Sequence, residues 1–402
     1  MKLYTHRRKK NKNATSGNSI GNSMASNEIR ILHIMDKVSA GRSKMHGPAR
    51  QIAYRVPFYP AHYKVMLLNL REEDVACDVL REKGLEVVSL NSSKFNPFTL
   101  FEVMRVMRKW RPTVLHLHGY ASFNFGRVAG RLMKVPVIVQ EHFVDERLPK
   151  YQQLVDWFLR NWQAKGLAVS EAVKRFMVVD RYMPDAQVEV LFNGIPLDKV
   201  TRSAPEQIQA LRRSLGIPDG AKIVGTAGRM AEMKGHHILL QAAKLLAEKD
   251  DRLRFVLVGE GPWAETLRQQ AAELGLANKA IFTGYQENVV PYISLFDVAV
   301  VASIFNEGFN TAGVEMLAVG APLVITDMPC FHDIYFNEKN VLMVPPRDAN
   351  ALAGAIDRIV KEPQLQATLR SAGQETAQEC RIEKIAARYA AIYEELCGSS
   401  SV

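Results

Sequence analysis

Short runs of apolar, often β-branched residues alternate along this chain with longer stretches in which apolar side chains recur every three or four positions. The first pattern is that of strands in a parallel sheet covered on both faces, and the second is that of amphipathic helices. Strands are predicted over Arg30–Met35, Lys64–Asn69, Leu85–Leu90, Val114–His118, Val135–Gln140, Gly166–Val169 and Val188–Phe192. After Asn193-Gly194-Ile195-Pro196 and a polar stretch at 198–219, a second series begins: Lys222–Ala227, Arg254–Val258, Ala280–Thr283, Val298–Ala302, Pro322–Thr326 and Val341–Val344. Strands that alternate with helices define doubly wound α/β sheets, so two Rossmann-like domains are expected, at 29–196 and 197–378.

Two helical stretches carry aromatic stripes. In 151–165 Leu154, Trp157, Phe158 and Trp162 share a face, which is expected to pack inward, with a membrane-facing helix as the alternative. Phe98 to Trp110, with Arg105, Arg108 and Lys109, is read in the same way as a surface helix of the first domain or a second membrane candidate.

Composition adds bounds. At 402 residues, 47% hydrophobic and 23% charged, the chain is long enough for two cores and ordinary for a soluble protein. Cys77, Cys330, Cys380 and Cys397 have no metal-ligand spacing and suit a reducing compartment, so a cytoplasmic enzyme without structural zinc is expected. No apolar run reaches the roughly 18 residues of a membrane span. The net charge of +10 is concentrated in residues 1–28, and removing the six bases of 1–27 leaves +4. That Asn- and Ser-rich tail is expected to be disordered. It offers contact with anionic lipid at about 1 kcal/mol per base near the surface, against the alternative of an inert extension. Nucleic acid is not an expected partner, because no stacking aromatics interleave the charges.

The chemistry-bearing stretch is Val298 to Ile325. A strand ends near Ala302, turn residues follow at Asn306 and Gly308, and a helix begins at Asn310 or Thr311 and stops at Gly320. Glu307 lies before that helix, and Glu315 shares a face with Thr311 one turn on. Helix-start N–H groups of Gly308, Phe309, Asn310 and Thr311 suit a phosphate, and the two carboxylates suit sugar or ribose hydroxyls. In the first half, Val114–His118 places His116 and His118 on one strand face, with His118 at the carboxyl end that opens into a ligand crevice and His116 better suited to the core. His142, with Glu141, ends the next strand and is an acceptor-side candidate. Gly41, Gly47 and Pro48 shape the loop after the first strand, where Lys44, His46 and Arg50 are candidates for an anionic acceptor. In the second half, Gly228-Arg229-Met-Ala-Glu-Met-Lys234-Gly235 follows its first strand and offers a planar fork and a compact charge to a diphosphate.

Glu307 to Glu315 resembles the E-x7-E signature of the retaining glycosyltransferases of family 4, and Gly228 to Gly235 resembles that family's G-R-x4-K-G donor-phosphate motif. The resemblance covers 29–396. It implies a GT-B fold, two Rossmann-like domains facing a central cleft, with the helix at 379–397 crossing back to the first domain. It further implies transfer of a sugar from a nucleotide-sugar to an acceptor hydroxyl with retention, without a metal or cofactor, the nucleotide-sugar being a substrate. His118 and Glu307 would meet the transferred sugar, Arg229 and Lys234 the diphosphate, and Glu315 the ribose. Turns at Val258-Gly-Glu-Gly-Pro262 and Phe282-Thr-Gly-Tyr285 would border the base, with Tyr285 in contact. The implied acceptor is a saccharide or lipid-linked hydroxyl in bacterial surface polysaccharide or glycolipid synthesis, at the inner membrane face. Two alternatives stay open: a sugar-nucleotide epimerase of the same fold, and a non-catalytic membrane or nucleic-acid binder acting through the tail. A dinucleotide oxidoreductase is excluded by the lack of G-x-G-x-x-G after either first strand.

Overall fold

The computed structural model describes residues 28–39, 45, 47–93 and 96–398. The basic tail at 1–27 and the loop candidates Gly41, Lys44 and His46 lie outside the described residues. Leaving 3-10 turns aside, the first half runs β1 (Ile29–Met35), α1 (Gly47–Arg55), β2 (Tyr63–Asn69), α2 (Val75–Glu82), β3 (Glu86–Ser89), α3 (Thr99–Trp110), β4 (Val114–His118), α4 (Tyr120–Met133), β5 (Val137–Glu141), α5 (Lys150–Leu159), β6 (Lys165–Ala168), α6 (Glu171–Val179) and β7 (Val188–Val190). The second half runs α7 (Pro205–Ser214), β8 (Lys222–Ala227), α8 (His236–Ala247), β9 (Leu253–Val258), α9 (Ala264–Glu273), β10 (Ala280–Gly284), α10 (Val290–Ile293), β11 (Val298–Val301), α11 (Thr311–Val319), β12 (Leu323–Thr326), β13 (Leu342–Val344), α12 (Ala349–Lys361), α13 (Pro363–Ala377) and α14 (Ile382–Gly398).

All strands pair in parallel, in the orders β3-β2-β1-β4-β5-β6-β7 and β10-β9-β8-β11-β12-β13. Each sheet therefore reverses its winding between two central strands, β1/β4 and β8/β11, and the crevice outside their carboxyl ends is where a doubly wound sheet binds ligand. The strands fall where the apolar runs predict, with ends shifted by one or two residues. Pro136 has no N–H for the ladder, so β5 starts at Val137 while the Pro136 carbonyl accepts from Leu115 N at 2.9 Å. Helices α3, α4 and α6 cover one face of the first sheet around Val103, Met107, Phe123 and Met177, whereas α1 and α2 cover the other around Ile52 and Leu80.

The last helix, α14, packs under the first sheet rather than the second. Ile195 N donates to Cys380 O at 2.7 Å and Ile382 N to Ile195 O at 3.0 Å, which turns the chain back. Tyr389 and Tyr393 are then fully buried: the Tyr389 hydroxyl accepts from Gln140 Nε2 at 2.6 Å, and the Tyr393 hydroxyl lies 2.8 Å from His116 Nδ1. His116 is thus a core histidine with a partner.

One expectation is overturned. Leu154, Trp157, Phe158 and Trp162 do not pack inward; they are 57%, 43%, 62% and 39% exposed. The buried face of α5 carries Gln152, Asp156 and Leu159 instead. Helix α5 rides on α4, whose outer face presents Asn124 and a fully buried Arg127, and a buried guanidinium requires a carboxylate. Asp156 supplies it, pairs also with Arg181 at 2.7 Å, and Gln152 and Asn124 exchange two bonds of 3.0 and 3.1 Å. The spacing finds two faces, and the partner helix decides which looks inward.

Tyr393→Phe keeps the ring and removes the partner of a buried imidazole nitrogen. A loss of about 1–3 kcal/mol is expected in urea unfolding. An unchanged midpoint would refute the assigned bond.

Candidate active site

The loops that leave β8 and β11 are interlocked by a single glycine. Gly235 has φ of +62° and so close an approach to the second loop that a Cβ would stand 1.8 Å from the carbonyl oxygen of Ala302. No side chain fits there, and the left-handed backbone also favours glycine. Ile304 N donates to Met233 O at 2.8 Å alongside. The junction brings the ammonium of Lys234 onto the carboxylate of Glu307, which also accepts from the Ser303 hydroxyl at 2.6 Å. Glu307 is 6% exposed, and the Lys234 side chain is 25% exposed, so the ammonium keeps access to solvent.

Helix α11 begins just beyond. Asn310 is its N-cap, accepting from Gly313 N at 2.8 Å, and Gly320 closes it at φ +79°, as the residue types predict. The cap takes one of the free N–H groups and leaves those of the helix start beside Glu307. Glu315, one turn in, is 8% exposed, and burial raises its pKa against the pull of Arg50. Phe309 does not act at the helix start through its side chain; its ring stacks on Phe192 at 5.7 Å and touches the cores of both halves.

Arg50 lies on α1 of the first domain, so its field on Glu315 crosses the cleft. The Tyr54 hydroxyl, one turn along α1, has its pKa raised by burial, with Arg50 opposing and Glu315 and Tyr285 adding to the rise. Arg50, Tyr54, Glu315 and Tyr285 therefore converge from opposite walls. Gly47 opens α1, and among the described residues nothing lies within 4 Å of a would-be Cβ. Arg229 is exposed, and among the described residues it makes no ion pair, so Lys234 alone of the two cations is held at Glu307.

On the facing wall three histidines form a row. His118 Nε2 is 3.0 Å from His33 Nδ1, and His118 Nδ1 is 2.9 Å from His142 Nε2. The rings are stacked with centroids 5.2 Å apart at each step. His118 is only 3% exposed, with both nitrogens occupied, so in this arrangement the imidazole next to the cleft is His142. Burial pushes His118, His33 and His116 well below the usual imidazole range; the Arg55 charge pushes all three the same way, and neighbouring histidines do so for His116 and His118. A neutral imidazole donates once and accepts once, so the row must donate in a single direction. Its last member meets the second domain: a Cβ on Gly308 would lie 2.1 Å from the His142 carbonyl oxygen, and Val144 N donates to Glu307 O at 3.2 Å. Gly308 is thus one point where the two walls touch.

Several residues here carry no sequence signal. His33 sits in the middle of an apolar strand, and fully buried Arg55 stacks on Tyr389 at 3.9 Å. Asp36 accepts from Ala121 N and Ser122 N at 3.0 and 2.7 Å, filling the start of α4 with a carboxylate and closing it to phosphate. Glu141 is not an acceptor contact: it is 3% exposed and lies 2.9 Å from Arg181, an ion pair outside hydrogen-bond alignment, with its pKa raised by burial against that charge. A shallow depression around Arg202, Arg212 and Asp297 opens at the amino-terminal edge of the second sheet, away from these groups. His33, His116 and His118 bring ring nitrogens within 4.8 Å of one another, but buried rings beside the Arg55 charge are a poor setting for a cation.

Comparison with known proteins bears on family and fold. Residues 207–376 match the family model for glycosyl transferases group 1, and residues 60–199 match that for glycosyltransferase family 4. The chain is 26% identical to 2-deoxystreptamine glucosyltransferase of Streptomyces kanamyceticus, over 79% of this chain and 86% of that protein. It is 28% identical to phosphatidyl-myo-inositol mannosyltransferase of Mycobacterium leprae, over 77% and 80% respectively. Among solved structures, Anabaena Alr3699/HepE in complex with UDP superposes with a TM-score of 0.80 at 19% identity, over 91% of this chain and 100% of that one. That likeness concerns the fold, a GT-B pair of α/β domains.

The buried histidines set an acid limit. His33, His116, His118 and His236, the last pulled down to about 3 by burial, titrate in the folded state below the unfolded value of 6.5. The unfolded chain binds more protons between those values, so stability is full above pH 6.5 and falls as pH drops, by up to about 1.4 kcal/mol per pH unit for each histidine. The raised carboxyls of Glu141 and Glu315 oppose this at lower pH. Urea midpoints at pH 7, 6 and 5 should fall in that order; a flat or rising series would show that these rings are not held neutral.

Proposed function

The chain belongs to the group 1 glycosyltransferases, and on that premise we propose that it transfers a sugar from a nucleotide-sugar to a saccharide or lipid-linked acceptor hydroxyl with retention at the anomeric carbon. The observation that carries this reading is the Lys234–Glu307 pair at the start of α11, opposite Arg50 and the histidine row. An ammonium beside free helix N–H groups is a site for a diphosphate, since both stabilise negative charge that grows as the leaving group departs.

In this reading Lys234 turns from Glu307 to the donor diphosphate, joined by Arg229 from the exposed end of the same loop. Glu307, released, binds hydroxyls of the transferred sugar and faces positive charge developing at its ring. Glu315 holds the ribose diol, and Tyr285 borders the base. The anomeric C–O bond to the diphosphate breaks as the acceptor oxygen bonds on the same face, and the acceptor proton passes to the departing phosphate oxygen. No enzyme nucleophile and no metal enter. His142 reaches the sugar from the other wall, with His118 behind it setting the tautomer, and Gly47 and Arg50 lie toward the acceptor. A UDP-sugar is the first donor to try, because the Anabaena protein binds UDP and UDP-glucose. The enzyme would act at the inner membrane face in surface polysaccharide or glycolipid synthesis.

Thermal shift with UDP-, GDP-, ADP- and TDP-sugars tests the donor site. One donor at a hundredfold excess over its Kd should stabilise the wild type by about 2.7 kcal/mol. Glu307→Ala and Arg229→Ala should lose most of that response, and EDTA should not change it. If no donor stabilises the wild type, or both variants respond as it does, the assignment is wrong. NMR of the product should give the donor's anomeric configuration; inversion would overturn the mechanism.

A further inference from the structure

Helix α5 is amphipathic in the inverted sense. Its polar side is inside, tied to α4 and α6's neighbour Arg181 by Asp156 and Gln152, while Leu154, Trp157 and Phe158 point to solvent. In one helical layer α4 lies between α5 and α3. Its neighbour α3 and the residue before it add Phe101 at 64% and Phe98 at 67% exposure, and α4 adds Leu132 at 61%. Large apolar side chains thus crowd one outer surface, whereas isolated ones would need no explanation.

The exposed charges on the three helices are of one sign. Arg105, Arg108 and Lys109 on α3, Arg131 and Lys134 at the end of α4, and Lys150 at the start of α5 are all exposed. The acids of the same helices are used elsewhere: Asp156 is buried in its ion pairs and Glu102 accepts from the Ser92 hydroxyl at 2.8 Å. Arg160 lies over the Trp157 ring at 4.6 Å, which keeps a guanidinium at the edge of the aromatic group. Tryptophan with an apolar body and a polar edge, ringed by Lys and Arg, suits the boundary between acyl chains and headgroups. A second copy of the chain is a poor occupant, because a twofold contact would set this basic surface against itself.

We propose that the outer surface of α3, α4 and α5 docks on an anionic lipid bilayer, with Leu154, Trp157 and Phe158 entering the headgroup boundary. The site is distinct from the basic tail and does not rest on the sugar-transfer reading. It has a bearing on the cleft, however, since α5 starts eight residues after His142 and the intervening loop bonds to the Glu307 loop. A membrane held by α5 would bring the acceptor-side wall close to the bilayer surface.

The test is sedimentation of the full chain with vesicles of phosphatidylglycerol and phosphatidylcholine in equal parts, and with phosphatidylcholine alone. Wild type should bind the anionic vesicles, and Trp157→Ser/Phe158→Ser should bind them at least tenfold more weakly with an unchanged urea midpoint. Neutralising the tail with Arg7→Gln, Arg8→Gln, Lys9→Gln and Lys10→Gln should leave the tryptophan emission quenched by brominated lipid, whereas Trp157→Phe should lose most of the quenching. Binding by the double variant equal to wild type overturns the proposal, as does absence of binding, or bound protein without quenching. Light scattering that shows a dimer abolished by the double variant would assign the surface to a second copy instead.

Discussion

The Lys234–Glu307 pair depends on a contact between two loops that no side chain could make. Because Gly235 lets its backbone rest on the Ala302 carbonyl, the loops after β8 and β11 run side by side, and the cation of one meets the anion of the other. Such a pair is a poor source of stability, since the cost of drying a carboxylate to 6% exposure offsets much of the attraction. It makes better sense as a stored site. Each charge spares the other an unpaired state, and a diphosphate, with more negative charge than one carboxylate, competes for the ammonium and frees Glu307 at the same moment. The start of α11 then faces the same ligand. The pairing of motif and motif is thus a mechanical result of sheet reversal at β8/β11, which brings Lys234 and Glu307, 73 residues apart in sequence, onto one edge.

The opposite wall is held by a different constraint, the burial of nitrogen. His118 ends β4 where a ligand would be met, yet its ring has no free nitrogen: His33 takes one and His142 the other. Neutral rings in such a row fix each other's protons, so the tautomer next to the cleft is set by groups deep in the sheet. Arg55 near His33, and Tyr393 on α14 against His116, extend that support to the last helix of the chain. The C-terminal helix is therefore more than a strap between halves; it supplies hydroxyls to the layer under the histidines. Gly308 against His142 then joins the two walls with backbone alone, which leaves their spacing insensitive to side-chain motion.

Fold was legible where physics is local. Period, β-branching and glycine or proline punctuation locate the strands to within one or two residues, and Pro136 accounts for the late start of β5. The start of α11 at Asn310 and its stop at Gly320 were equally readable, since cap chemistry lies within four residues. In the site, Glu307, Glu315 and Lys234 were found by spacing and family resemblance, and the structure brings the first and last together. What stayed hidden is long-range. His33 looks like any strand residue until β1 is paired with β4, whose His116 is its register partner. Asp36 becomes a helix cap only when α4 arrives 85 residues later. The layering of His142 over His118 depends on the β5 loop, and nothing in the pattern of β4 announces it.

Helix α5 marks a sharper limit, because there the local signal was strong and its usual interpretation failed. A stripe of Leu154, Trp157, Phe158 and Trp162 has the period of a buried face. Period reports only that a helix has two unlike sides, and which of them is dry depends on what the neighbour needs. Here the neighbour, α4, carries a buried Arg127, and Arg181 stands fully buried beside it, and the carboxylate that the two guanidinium groups share comes from the polar side of α5. Removing Asp156 would leave both charges short of a partner, a far larger penalty than exposing an aromatic ring to water. The electrostatic requirement therefore outranks the hydrophobic one, and the aromatic side is turned outward as its consequence.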